Sequence, residues 1–192
     1  MKRIFLIHGW GGSPEEGWIP WLKRELKMKG FESFAPAMPD SEHPKMDAWL
    51  KQLRATVGIL DKDCYFVGHS LGCITILRYL EGLTEDQQVG GVILVAGFTD
   101  MDITVSEDED VQELKSFFQT DVDFKKIKEH CKKFFAIHSD NDRYVDLRYA
   151  DIFKEKLGAK LVIEQGKGHF SGDEGVQELP SALEGVLQLT RE

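Results

Sequence analysis

Ser70 stands at the centre of Gly68-His69-Ser70-Leu71-Gly72, a Gly-x-Ser-x-Gly pattern whose chemistry is nucleophilic once a base takes the hydroxyl proton. The pattern is not rare by itself. Its position is more telling, because it follows the apolar run Cys64 to Val67 and precedes Cys73 to Leu77. A strand turning sharply into a helix needs glycine on both sides of the serine, where side chains would collide. The competing reading, a serine in a glycine-rich turn, asks for no partner. The nucleophilic reading asks for two: a histidine to accept the proton and a carboxylate to orient that histidine.

Six histidines compete for the first role. His169, in Gly-Lys-Gly-His-Phe just past the last apolar run, falls in a loop at the same sheet edge as Ser70 and is the best candidate. His8, in His-Gly-Trp-Gly-Gly, is better suited to holding its own loop by hydrogen bonds to backbone neighbours. His69 inside the elbow and His138 at a strand end read as structural, and His43 and His130 have no supporting context. For the acid, His138-Ser-Asp-Asn-Asp-Arg-Tyr-Val-Asp146 offers Asp140, Asp142 and Asp146. A residue at a strand tip points into the sheet, whereas one a few places into the loop can curl back to a neighbouring strand end. Asp142 is therefore preferred, with Asp140 as a turn cap. The string superficially resembles a calcium loop, but Val145 stands where that loop needs glycine and Asp151 where it needs glutamate, so no metal is expected.

Acyl chemistry also needs prepositioned N–H groups for a developing oxyanion. The amide of Leu71, at the start of the elbow helix, and that of Trp10, in a loop loosened by Gly9, Gly11 and Gly12, are the candidates. Trp10, Phe98 and Phe170, each beside a strand end, are candidate apolar walls of a substrate pocket. The glycine run after the first strand lacks both the dinucleotide spacing and the lysine of a P-loop, so a nucleotide site is a poor second.

Six runs rich in apolar, β-branched and aromatic residues carry these positions: Ile4–Ile7, Glu32–Ala35, Cys64–Val67, Gly91–Val95, Phe134–Ile137 and Lys160–Glu164. Between them, helical stripes run over Glu15–Lys29 (Trp18, Trp21, Leu22, Leu26), Met46–Leu60 (Trp49, Leu50, Leu53, Val57), Leu147–Leu157 and Val176–Leu189. Strands that are apolar on both sides, alternating with helices, imply an α/β three-layer sandwich around a doubly wound, six-stranded parallel sheet. A single domain over 1–192 is expected. Residues 99–120 break the rhythm with an acidic block at Glu107 to Asp110. They read as a solvated loop with a short helix, or as a small lid that turns Phe117 and Phe118 toward a pocket.

Composition excludes several classes. With 24 Lys and Arg against 33 Asp and Glu, the net charge of −9 disfavours nucleic acid and anionic membranes as partners. No run is long enough for a signal-peptide core or a membrane span, which points to a cytoplasmic protein. Three cysteines, Cys64, Cys73 and Cys131, form no pair of motifs for a disulfide framework or a zinc site, so they are expected reduced and buried.

Several segments together resemble the small α/β-hydrolase-fold serine hydrolases typified by retinoblastoma-binding protein 9 and the bacterial YdeN-like proteins. They are Ile4-Phe-Leu-Ile-His-Gly-Trp-Gly-Gly12, Gly17-Trp18 with Trp21, Pro36-Ala-Met-Pro-Asp40, Val67-Gly-His-Ser-Leu-Gly72, Ser139-Asp-Asn-Asp142 and Gly168-His-Phe170. The resemblance spans nearly the whole chain. It implies a trimmed fold without a large cap, and a catalytic Ser70, Asp142 and His169 in the chain order of that fold. No Leu-x-Cys-x-Glu motif is present, so no protein partner is inferred. The resulting expectation is a cofactor-free serine hydrolase acting on a small-molecule acyl substrate, most readily a carboxylic ester, with an amide or thioester as variants. A binding protein that keeps the fold without turnover, and an acyltransferase, are the alternatives.

Overall fold

Valine, isoleucine, leucine and phenylalanine fill both faces of the central strands, and a parallel sheet roofed on both sides is the arrangement that buries them. The computed structural model describes residues 1–101, 112 and 114–191. Its elements in chain order are β1 (Arg3–Ile7), α1 (Ile19–Met28), β2 (Glu32–Phe34), α2 (Met46–Val57), β3 (Cys64–His69), α3 (Leu71–Glu81) and β4 (Gly91–Val95). A 3₁₀ turn (Leu114–Phe117), α4 (Phe124–His130), β5 (Phe134–Ser139), α5 (Arg148–Leu157), β6 (Lys160–Glu164) and α6 (Pro180–Arg191) follow. All six strands are parallel, in the order β2-β1-β3-β4-β5-β6.

Alternate residues of each strand enter separate cores. Ile4, Leu6, Val67, Ile93 and Ile137 pack with Trp18 just before α1, Leu22 and Leu26 of α1, and Val186 and Leu189 of α6. Phe5, Ile7, Phe66, Leu94 and Ala136 pack on the opposite face with Trp49 of α2, Leu77 of α3 and Phe153 of α5. The edge strands β2 and β6 are the partly exposed ones, as their charged ends require. Because the chain leaves β1 toward β2 and then crosses to β3, the loops after β1 and β3 diverge to opposite faces, opening a crevice at the carboxyl ends of those two strands.

Helix ends differ from the expected stripes for identifiable reasons. Helix α1 begins at Ile19 rather than Glu15 because Gly17 takes φ 55° and Pro20 suits the first turn. Pro180 likewise opens α6, and Gly58 at φ 62° closes α2. Helix α4, Phe-Lys-Lys-Ile-Lys-Glu-His, has too few apolar residues to announce itself. Its Asp123 cap accepts from the Lys126 amide at 2.9 Å. In the 99–120 segment the acidic block, with the rest of 102–111, lies outside the described residues. Phe117 is not turned toward a pocket: it is fully buried, edge-on to Trp49 at 5.8 Å, while Phe118 stacks on Phe98 at 5.5 Å. The three cysteines are free and buried.

Among the described glycines, the closest approach to another stretch of backbone is at the elbow. A Cβ on Gly72 would lie 2.3 Å from the Ile7 carbonyl oxygen and 2.7 Å from that of His8, and neither can retreat without moving β1. Gly72→Ala is accordingly expected to cost about 3 kcal/mol, read as a lower urea midpoint at unchanged slope.

Candidate active site

Ser70 is held at φ 52° and ψ −119°, a conformation that a non-glycine residue adopts only when its surroundings impose it. Three neighbours impose it here. Its amide donates to Val95 O of β4 at 2.9 Å, its carbonyl accepts from the Cys73 amide at 2.9 Å, and a Cβ on Gly68 would meet the Cys73 backbone at 2.8 Å. The hydroxyl is thereby lifted out of the end of β3.

There it meets His169. Ser70 Oγ lies 2.8 Å from His169 Nε2, and His169 Nδ1 lies 2.8 Å from Asp142 Oδ2. Asp142 is almost fully enclosed, its side chain 2% exposed, and its other oxygen accepts from the amides of Tyr144 and Val145 at 2.9 and 3.0 Å. Burial alone would raise its pKa, but the hydrogen bond and charge of His169 and the two amides outweigh it and hold the carboxyl below the usual aspartate value. Asp142 is therefore ionised at neutral pH and accepts from Nδ1–H, which leaves Nε2 free to accept from the serine.

Asp140 does not reach His169. It caps the next loop, accepting from the Gly166 amide at 2.8 Å. Its neighbours act alike: Ser139 Oγ accepts from Lys167 N at 3.0 Å, Asn141 Oδ1 from Gly168 N at 2.8 Å, and Ser139 Oγ donates to Asn141 Oδ1 at 2.8 Å. The His169 amide goes to Glu174 Oε2 at 2.7 Å. Four successive amides of the histidine's loop are thus satisfied by side chains, a service that sequence reasoning did not assign to Ser139, Asn141 or Glu174. The signal for Glu174 was present in Ser171-x-x-Glu174, which closes reciprocally, Ser171 N to Glu174 Oε2 at 3.2 Å and Glu174 N to Ser171 Oγ at 3.3 Å.

The other histidines hold the frame. His8 is buried, with Nδ1–H donating to Gly9 O at 2.8 Å and Nε2 accepting from Met38 N at 3.0 Å, and burial lowers its pKa. His138 Nε2 bonds Gly97 O at 3.0 Å, and burial lowers its pKa also. His69 Nε2 bonds the His169 carbonyl oxygen at 2.7 Å, with its pKa lowered by burial and then by the adjacent His169. His130 Nδ1 bonds Gln87 O at 2.9 Å, far from Ser70.

The loop after β1 passes so near Ser70 that a Cβ on Gly9 would lie 3.1 Å from the serine Cβ. It is pinned to the segment after β2 by Gly11 N to Ser41 O at 2.8 Å and Trp10 Nε1 to Glu42 O at 2.8 Å. None of the hydrogen bonds of the described residues occupies the backbone amides of Leu71 or Trp10. Two cavities share Ser70, His169 and Trp10. One, of about 640 Å³, runs past Trp18 and His69 among Glu15, Glu16 and Glu42. The other, of about 760 Å³, is walled by Leu71, Phe98, Met101, Val145 and Tyr149. Phe98 and Trp10 thus border open space. Phe170 lines the first of these cavities as well, while at 0% exposure and φ 58° its ring packs into the core beneath α1 and α6, anchoring the histidine's loop from below.

Among known proteins, the sequence pattern of the serine hydrolase family matches residues 4–188. YdeN of Bacillus subtilis (strain 168) is 36% identical over 93% of this chain and 91% of its own length. Its crystal structure superposes with a TM-score of 0.91, covering 100% of both chains. Serine hydrolase RBBP9 of Rattus norvegicus is 28% identical over 87% of this chain and 85% of its own. The Butyrivibrio proteoclasticus protein Est1E, solved with ferulic acid bound, shares the fold at a TM-score of 0.78 and 17% identity, over 100% of this chain and 90% of its own. The six-stranded parallel sheet with its helices is that of the α/β-hydrolase-like structures, and by sequence the chain belongs to the serine hydrolase family.

Proposed function

We propose that this member of the family hydrolyses a small-molecule carboxylic ester through a Ser70–His169–Asp142 triad and an acyl-enzyme. The observation that carries the reading is the unbroken hydrogen-bonded chain from Ser70 Oγ through both nitrogens of His169 to Asp142, 2.8 Å at each step. As Ser70 Oγ bonds to the acyl carbon, its proton passes to His169 Nε2. The ionised Asp142 keeps the other ring proton on Nδ1 and stabilises the imidazolium. The tetrahedral oxyanion is met by the amides of Leu71, whose place at the first helical position leaves it no intrahelical acceptor, and of Trp10. His169 then gives its proton to the leaving alcohol, and water repeats the sequence on the acyl-enzyme. The apolar cavity beside Phe98 suits one half of the ester, and the acid-rimmed cavity beside Trp18 the other.

Amide and thioester bonds are attacked by the same steps, so the test is made first on the nucleophile. Intact-mass spectrometry after exposure to a fluorophosphonate is expected to show one adduct on the wild type and none on Ser70→Ala or His169→Ala. Burial raises the thiols of Cys64, Cys73 and Cys131, the last to about 12, so none supplies a thiolate to confuse the count near neutral pH. A folded wild type that stays unmodified would overturn the reading in favour of a binding protein.

A further inference from the structure

His69 and Ser70 are consecutive, yet they grip the same residue at two different places. Ser70 Oγ meets the imidazole of His169, while His69 Nε2 donates to the carbonyl oxygen of His169 at 2.7 Å. One elbow therefore references both the side chain and the main chain of the histidine. His69 is itself fixed on both sides: its backbone pairs with Val95 in the sheet, and Trp18 packs edge-on against its ring at 5.8 Å and 73°.

The peptide that His69 holds is a sensitive one. It joins His169 to Phe170, which sits at φ 58°, a costly conformation for an aromatic residue. Rotation of that peptide plane would let Phe170 relax to negative φ, and the same rotation would change ψ of His169 and shift the loop backbone that carries its imidazole. Two bonds oppose the rotation: Phe170 N donates to Lys167 O at 3.0 Å, and His69 holds the carbonyl end. Of the two, only the His69 bond comes from outside the loop.

We infer that His69 is a positioning residue for proton transfer: by donating to the 169–170 carbonyl it keeps the His169 imidazole within reach of both Ser70 and Asp142. The inference rests on the reading of Ser70 and His169 as nucleophile and base. It does not make His69 a catalytic group, since no reacting atom touches it.

The experiment compares wild type, His69→Leu and His69→Gln by steady-state kinetics with p-nitrophenyl butyrate and by the low-field proton resonance of His169 Nδ1. Loss of the bond is expected to lower kcat by about ten- to a hundredfold, the size of effect that a shift of about 1 Å produces, with KM little changed. Glutamine, whose terminal amide can stand where Nε2 stands, is expected to restore most of kcat and keep the resonance, which leucine broadens or loses. Should the leucine variant fail to fold, His69→Asn, too short to span the gap, takes its place with the same expectation. The inference is overturned if leucine leaves kcat and the resonance intact, if glutamine and leucine are equally impaired, or if the change falls in KM alone, which would make His69 a cavity wall. A wild type without turnover would sink the esterase reading and still leave the resonance to judge the positioning.

Discussion

Ser70→Ala is expected to lower kcat toward p-nitrophenyl butyrate by on the order of 10⁵- to 10⁶-fold, while the melting temperature moves by less than about 2 °C. The two halves of this expectation have separate causes. Activity collapses because no other hydroxyl stands 2.8 Å from His169 Nε2, and without the nucleophile an ester meets only oriented amides. Stability is retained because the elbow's geometry does not depend on the hydroxyl. The positive φ of residue 70 is imposed by backbone bonds to Val95 and Cys73, and alanine inherits those bonds and the same backbone cost. The His169 nitrogen left without its partner is not stranded, since that side chain keeps 14% exposure. Turnover of the alanine variant above a few per cent of wild type would show that another group attacks the ester.

Asp142→Asn is expected to reduce kcat by about 10⁴-fold, for a reason the carboxylate's second oxygen makes specific. That oxygen accepts from the amides of Tyr144 and Val145, and only the carbonyl end of an asparagine can take its place. The asparagine NH₂ is then forced to face His169 Nδ1 and to donate to it. The ring proton must move to Nε2, where it can no longer receive the serine's. The same substitution carries a pH signature. Because the folded-state pKa of Asp142 is depressed, its ionisation contributes stability that is fully present above the unfolded value of about 4 and is lost as pH falls through the folded value. Thermal melts across that acid range are expected to be flatter for Asp142→Asn than for wild type. An equally steep acid loss in both would assign it to other carboxyls.

The sheet was legible because strands roofed on both faces must be apolar on both, and each of the six runs falls on a strand to within two residues at either end. Helix ends were less so, since Gly17 and Gly58 cut stripes that the apolar spacing alone would extend. At the site, spacing from the strand end led to Asp142, the aspartate that lies against His169, rather than Asp140, which caps the next loop, and the strand-to-helix junction led to Ser70. What spacing could not reveal was service rendered through the backbone. His69 reads as a structural histidine because its partner is a carbonyl, and carbonyls carry no letter. Glu174 and Asn141 are hidden for the same reason, since each holds an amide of the histidine's loop. Phe170 lines the cavity beside Trp18, but its residue type says nothing of the positive φ at which its buried ring is held.

The run Ser139 to Asp142 addresses Lys167, Gly166, Gly168 and the His169 ring across separations of 28, 26, 27 and 27 residues. Much of the information that shapes the histidine's loop is therefore written at the end of β5 and in the three residues after it, and is read across the β5–β6 pairing like type against paper. Helix α5 between them is a spacer that only has to return the chain in phase. Changes of length inside α5 leave the impression unaltered so long as β6 keeps its register, whereas one residue inserted or removed between Ser139 and Asp142 misprints all four contacts at once. For anyone transplanting this site, the portable unit is the strand with the four polar residues at and just beyond its end, with the histidine carried as what they print.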